Sequence, residues 1–206
     1  MSGDLGGPPW RTTGTWLVYA HPGLCLHEHE VVRRGGGTGT CHRLAEHAST
    51  RVVAVDADGQ LAVVWHWRYS LGAPSVELPS APVEPGQDPV VAARRALRDG
   101  CGLAAAHWTR TGTVTAATGV AAQPVHLYRA ERVHRTLRPA GDREHDREQQ
   151  GFTLPYEVAV GSAVTGAIAE AASAAALLHA EQHRLAGQWH LPGSQPPHPP
   201  TSLFRL

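Results

Sequence analysis

Alternating apolar and polar residues near the start of the chain predict a pair of β-strands over residues 15–33. The apolar positions are spaced so that their side chains share one face of each strand: Trp16, Val18, Leu24 and Leu26. His21-Pro22-Gly23 lies between the two strands and has the composition of a tight turn. A glycine-rich loop is expected to follow over residues 34–39.

The strongest β signal is a hairpin over residues 51–69. Residues 51–55 form a run typical of a buried strand, 56–59 a tight turn, and 61–69 the returning strand. Two more strands are expected at 112–120 and 124–133. A charged loop is expected over 134–151.

Helical spacing of apolar residues appears twice. Asp88 is a suitable N-cap, Pro89 a suitable first residue, and Gly100 and Gly102 stop signals, so a helix is predicted from Pro89 to Asp99. A second helix is predicted from Tyr156 or Ser162 to Leu185, because apolar residues recur there at helical spacing. The order of strands and helices favours an α/β fold, a mixed sheet with helices on both faces.

Composition narrows the functional classes. The chain has 206 residues and 22.0 kDa, enough for one domain with its own core. Eighteen basic and 18 acidic residues cancel, so no electrostatic footprint for nucleic acid is present. The sequence lacks a run apolar enough to span a membrane and a signal-peptide pattern at its start. Three cysteines without paired spacing indicate neither disulfides nor structural zinc, and we expect a cytoplasmic protein. No lysine is present, which excludes a P-loop.

The stretch from Glu77 to Leu103, ELPSAPVEPGQDPVVAARRALRDGCGL, resembles the Nudix box, whose pattern is G-x5-E-x7-R-E-U-x-E-E-x-G-U with U a bulky aliphatic residue. More narrowly, it is similar to the ADP-ribose pyrophosphatase branch. That branch opens the box with E-L-P-A-G and precedes it with a strand ending in Q-Y-R-Y, here His66-Trp67-Arg68-Tyr69. The resemblance spans roughly residues 15–186.

The resemblance implies a Nudix-type α/β/α sandwich with a mixed central sheet and an N-terminal β extension. It divides the chain into a disordered N-terminus (1–14), a strand extension (15–47), a Nudix-fold domain (48–186) and a proline-rich tail (187–206). It also implies hydrolysis of a nucleoside diphosphate derivative. In that chemistry, box glutamates on one helical face hold Mg²⁺, which neutralises the diphosphate and activates water.

The box departs from the family pattern where the metal ligands belong. Its scaffold positions are kept as Arg95, Leu97, Gly102 and Leu103. The opening glycine and the four glutamates are replaced, in order, by Ala81, Gln87, Ala96, Asp99 and Gly100. A single short carboxylate holds Mg²⁺ weakly, and Gln87 offers Arg95 a hydrogen bond in place of an ion pair. We therefore expect an impaired, pseudo-enzyme-like protein that binds a nucleotide-like or other small-molecule ligand. The alternative is an active Mg²⁺-dependent hydrolase.

An active enzyme would need replacement ligands. Glu84 lies in the loop before the box helix, and Glu148 ends an acidic group, Asp142, Glu144, Asp146 and Glu148, where family members often carry a further glutamate. Candidate catalytic residues are thus Glu84, Arg95, Asp99 and Glu148, with Glu84, Asp99 and Glu148 as candidate metal ligands. Both acidic segments also fit an ordinary solvated loop.

The resemblance implies a substrate-binding role for Arg68, whose guanidinium suits phosphate, together with Trp67 and Glu77. The alternative is that Arg68 simply pairs with a carboxylate such as Glu77. His27 and His29 share a strand face and could bind a metal, but the chain has 14 histidines, so chance pairs are expected. The branch commonly dimerises through its N-terminal strands, which predicts a homodimer.

Overall fold

The computed structural model describes residues 7–136 and 149–192. Its N-terminal part is an antiparallel sheet in the order β1-β2-β3, formed by β1 (Trp10–His21), β2 (Leu24–Arg33) and β3 (Thr38–Glu46). The turn at 21–23 is confirmed, with Gly23 at a φ of +89°. Two predictions are wrong here. Residues 10–14 are not disordered, because Trp10 pairs with Arg33 in the sheet. The loop after β2 ends at residue 37, and the unpredicted strand β3 begins at the next residue.

Two further sheets follow. The central one is mixed, in the order β7-β4-β9-β8: β4 (Ala48–Ala54), β7 (Pro82–Val83), β8 (Leu103–Val114) and β9 (Val125–Arg135), with β4 and β9 parallel. The second is antiparallel, in the order β10-β5-β6: β5 (Gln60–Arg68), β6 (Ala73–Glu77) and β10 (Gln149–Pro155). The predicted hairpin over 51–69 is correct only at its turn. Strands β4 and β5 are joined there by the bridge between Val55 and Leu61, but they then enter different sheets and do not pair along their length.

Helices cover both faces of these sheets: α1 (Pro89–Cys101), α2 (Tyr156–Thr165) and α3 (Ala171–Leu185). Alternate residues of β4 face opposite layers, since Val52 packs with α1 while Val53 packs with α2 and α3. The predicted α/β/α sandwich with a mixed central sheet is therefore confirmed.

The box helix α1 forms for the predicted reasons. The Asp88 side chain accepts a hydrogen bond from the Val90 N–H at 3.0 Å, and Pro89 starts the helix. Gly102 adopts a left-handed conformation at a φ of +65° and donates its N–H to the Arg98 carbonyl at 2.8 Å. The apolar side of α1, with Ala92 and Leu97 at its centre, is fully buried.

Four sequence expectations are corrected. Strand β8 starts at Leu103, not at residue 112, and the predicted loop over 134–151 gives way to β10 at Gln149. The predicted final helix is two helices, because Gly166 turns left-handed and Glu170 caps a new start. The packed chain also continues beyond residue 186, since Trp189 and Leu191 are buried in the core.

Candidate functional site

A cleft of about 460 Å³ lies along α1 and contains the box residues. Three segments line it: the loop Ser80–Pro82, the α1 residues Arg95, Ala96, Asp99 and Gly100, and the start of β10, Gln149–Gly151. Another cavity of about 460 Å³ opens near Trp189 and contains none of the predicted site residues. We therefore place the candidate site in the first, which we call the box cleft.

Backbone contacts hold the walls of the box cleft in place. The Thr50 N–H donates to the Ala81 carbonyl and the Val52 N–H to the Pro79 carbonyl, both at 3.1 Å, so the loop before α1 runs along β4. Arg95 donates a hydrogen bond from Nη2 to the Pro82 carbonyl, which joins the helix to the same loop. The expected hydrogen bond from Arg95 to the Gln87 amide oxygen is not formed, and the Gln87 Oε1 accepts instead from the Glu84 N–H at 3.3 Å.

The opposite wall of the cleft depends on two glycines. A Cβ on Gly151 would lie 2.3 Å from the Gly100 carbonyl oxygen, so β10 approaches α1 more closely than any other residue would allow. A Cβ on Gly100 would in turn meet the Gln149 Nε2 at 3.2 Å. The amide of Gln149 thus lies where a side chain at position 100 would begin.

Asp99 is the one box carboxylate, and it already has a partner. Its side chain is 54% exposed, and it accepts a hydrogen bond from Arg98 Nε at 2.7 Å. This pairing raises the pKa of Arg98 through the hydrogen bond and the charge of Asp99. The neighbouring arginine therefore offsets the negative charge of Asp99.

Of the remaining predicted ligands, only Glu84 lies in the described part of the chain, and it does not join Asp99. Glu84 is exposed in the loop before α1 and is not part of the cleft lining. Glu148, like Asp142, Glu144 and Asp146, lies outside the described residues. Over residues 7–136 and 149–192, no three His, Cys, Asp or Glu side chains are placed to hold a metal ion together. The described residues therefore do not fit the Mg²⁺ centre of the family.

Arg68 is committed to Glu77. Arg68 Nε donates to Glu77 Oε1 at 2.7 Å and Nη2 donates to Oε2, which gives a two-point contact with a carboxylate that is only 1% exposed. Burial alone would raise the pKa of Glu77, but the hydrogen bond and charge of Arg68 outweigh it and hold that pKa below its ordinary value. The alternative interpretation of Arg68, a structural ion pair, is thus what the structure contains, and its phosphate-binding role stays a prediction.

A second such pair lies nearby and was not predicted. Arg51 on β4 donates from Nε and Nη2 to the two carboxylate oxygens of Glu170, at 3.0 and 3.1 Å. Burial opposes ionisation of Glu170, but Arg51 and the backbone and hydroxyl of Ser173 outweigh it, so its pKa falls to about 2. Burial and the charges of Arg68 and Arg51 also lower the pKa of His66. No sequence signal links positions 51 and 170, because their contact exists only after α3 packs on the sheet.

Trp67 is half exposed, so its surface is available for contact. His27 and His29 lie in the N-terminal sheet, with ring centroids 6.2 Å apart, and belong to no metal-binding group among the described residues. The cleft residues Gln149, Gln150 and Gly151 were not predicted from the sequence. The signal that could have found them is the glycine at 151, because a glycine within a strand indicates close approach of another backbone segment.

Comparison with known proteins shows what this chain is similar to. No protein-family model matches the chain. The sequence is 27% identical over 169 residues to an ADP-ribose pyrophosphatase of Mycobacterium tuberculosis, covering 82% of this chain and 79% of that protein. The structure is similar to the crystal structure of an ADP compounds hydrolase, with a TM-score of 0.73, 15% identity, and coverage of 88% of this chain and 96% of the other.

The fold is that of the Nudix hydrolases. In this fold the segment from Glu77 to Leu103 forms a loop that contains β7, then helix α1, and ends at the first residue of β8. None of the helices in residues 7–136 and 149–192 is long and apolar enough to span a bilayer.

Proposed function

We propose that this chain is a Nudix-fold protein that binds a nucleotide-like ligand in the box cleft and is impaired in metal-dependent diphosphate hydrolysis. It would then act as a ligand-binding or regulatory module. One observation carries the proposal: α1 presents a single carboxylate, Asp99, and that carboxylate is paired with Arg98.

Mg²⁺ binding requires several negatively charged ligands close to the ion. A hydrated Mg²⁺ ion gives up water reluctantly and is bound in proteins by carboxylates together with substrate phosphates. Ala96 and Gly100 contribute no ligand atoms from their side chains, and Arg98 weakens the attraction of Asp99 for a cation. An ion at this helix would stay largely hydrated and would activate water poorly.

The ligand class follows from the similarities. The sequence relative is named as an ADP-ribose pyrophosphatase and the structural neighbour as an ADP compounds hydrolase, so an adenosine diphosphate derivative is the ligand class to test first. Arg95 lines the cleft and is our candidate for phosphate contact. Trp67 is half exposed and is our candidate for stacking on a base.

The second candidate function is an active Mg²⁺-dependent hydrolase of ADP-ribose or a related compound. The sequence identity of 27% over 169 residues to an ADP-ribose pyrophosphatase favours it. This function would require Asp99 to act with ligands such as Glu84 and Glu148, and the structure does not bring Glu84 into the cleft.

An assay of AMP release separates the two. The full-length protein is incubated with ADP-ribose and either Mg²⁺ or Mn²⁺, alongside the Asp99→Ala variant and an Asp58→Ala control, since Asp58 is an exposed turn residue. We expect no AMP above the protein-free background in any sample. Turnover by the wild type and by the Asp58 variant, abolished in the Asp99 variant, would contradict the proposal and support the hydrolase.

A further inference from the structure

We infer that the box cleft binds the diphosphate of its ligand directly, through hydrogen-bond donors and without a divalent metal ion. This inference rests on the proposed function and specifies how the same site would hold its ligand. The structural basis is that the cleft has lost the pattern's glutamates at Ala96 and Gly100, while its lining contains amide, guanidinium and hydroxyl groups: Ser80, Arg95, Gln149 and Gln150.

The charge of the cleft allows an anion to bind directly. A wall of carboxylates repels a diphosphate, and a divalent ion must bridge the two. Ala96 and Gly100 bring no charge to this wall, and the charge of Asp99 is offset by Arg98 at 2.7 Å. Arg95 remains as a cation in the lining, so an anion can enter without a metal ion.

The position of Gln149 also favours direct binding. Its Nε2 lies 3.2 Å from the place of a Cβ on Gly100, which is the position that carries a glutamate in the family pattern. A primary amide presents N–H donors, whereas a carboxylate presents only acceptors. The close approach of Gly151 to Gly100 brings this donor to the helix.

The geometry of Arg95 favours direct binding as well. One N–H of its guanidinium is directed to the Pro82 carbonyl, which fixes the side chain against the cleft loop. A guanidinium has several N–H donors and suits two-point contact with phosphate oxygens. A pre-positioned arginine therefore supplies the positive charge that a metal ion would otherwise provide.

The first test is calorimetric titration of ADP-ribose into the wild-type protein, in EDTA and then in Mg²⁺. We expect equal affinities within about twofold, because no ion takes part in binding. Binding that requires Mg²⁺ and occurs without AMP release would overturn this inference and leave the proposed function intact. Absence of binding under both conditions would overturn the inference as well, whereas Asp99-dependent AMP release would contradict the proposed function itself.

Charge variants give the second test, again in EDTA. Asp99→Asn removes a negative charge from the cleft and should strengthen binding of the anionic ligand by about two- to fivefold. Arg95→Gln should weaken binding by about tenfold or more. Arg94→Gln is the matched control, because Arg94 is the adjacent, exposed residue of α1 outside the cleft lining, and it should have no effect. Weaker binding by the Asp99 variant, or equal losses at Arg94 and Arg95, would overturn the inference.

Discussion

Two carboxylates, Glu77 and Glu170, stay ionised inside the protein because each contacts an arginine at two points. Glu77 lies against Arg68, and Glu170 lies against Arg51 while also capping α3 through the N–H groups of residues 172 and 173. In both cases the partner's charge outweighs the cost of burial and lowers the carboxyl pKa. An arginine that the family resemblance assigns to substrate, Arg68, thereby stabilises the fold.

The pKa of Glu170 predicts how stability depends on pH. Because its pKa is about 2 in the folded protein, against an ordinary value of 4.5, its contribution is fully present above pH 4.5 and is lost as the pH falls toward 2. We expect Glu170→Gln to lower the free energy of unfolding by on the order of 2 kcal/mol at pH 7, with the deficit shrinking toward acid.

Urea denaturation at neutral and acid pH measures this effect. Glu157→Gln serves as the control, since Glu157 is an exposed residue of α2. A deficit of the Glu170 variant that stays the same from pH 7 to pH 2 would show that the carboxylate charge contributes nothing.

Among the secondary-structure elements, the contact between α1 and β10 shapes the cleft. The glycines at 100 and 151 allow the two backbones to meet, and Gln149 is carried into the cleft as a result. The family pattern places a glutamate at position 100, and a Cβ there would crowd the side chains of Gln149 and Val64 at 3.2 Å.

The Gly151→Ala substitution tests this contact. Its Cβ would lie 2.3 Å from the Gly100 carbonyl oxygen, so β10 must move, and we expect a loss of about 1–3 kcal/mol in the free energy of unfolding. Gly161→Ala is the control, because nothing lies within 4 Å of a Cβ at that position of helix α2. Alanine favours the helical conformation over glycine, so this variant should raise the free energy of unfolding by about 0.5–1 kcal/mol. A neutral Gly151→Ala, seen in thermal or urea unfolding, would contradict the close packing.

The elements also show which parts of the fold the sequence could predict. Helix α1 and the turn between β4 and β5 were predictable because local signals agree with the packing: Asp88 and Gly102 mark the helix ends, and an Asp-Gly pair marks the turn. The pairing of β4 with β9 and of β5 with β10, in place of a β4–β5 hairpin, has no such local signal. Strands β3 and β10 lack an alternating apolar pattern and depend on pairing with β2 and β5.

The candidate site was likewise only partly predictable from the sequence. The box residues on α1 were found from the motif, because its spacing follows one helix. Gln149 and Gly151 were not, since their part in the cleft depends on a contact between segments about fifty residues apart.

On the scale of the whole molecule, the N-terminal sheet presents an exposed apolar edge. Within residues 7–136 and 149–192, strand β1 pairs on one side only, and it exposes about half of each of four large side chains: Trp16, Leu17, Val18 and Tyr19. Long exposed apolar edge strands invite pairing with another chain. We propose that a second copy of this chain covers β1, as the homodimer prediction requires.

Light scattering after size exclusion tests that proposal. We expect a particle of twice the 22.0 kDa chain mass for the wild type. Leu17→Glu should shift it toward the monomer, whereas Val164→Glu, at an exposed position of α2, should not. A wild-type particle of 22.0 kDa would contradict the dimer.

The central claim is that the box helix holds no divalent ion, and Mn²⁺ titration followed by electron paramagnetic resonance tests it most directly. The wild type, Asp99→Ala and the control Asp58→Ala are compared at equal protein concentration. We expect identical Mn²⁺ binding by all three proteins, because Asp99 is paired with Arg98 and neither Ala96 nor Gly100 offers a second side-chain ligand on α1. A saturable Mn²⁺ site that is lost only in the Asp99 variant would contradict it.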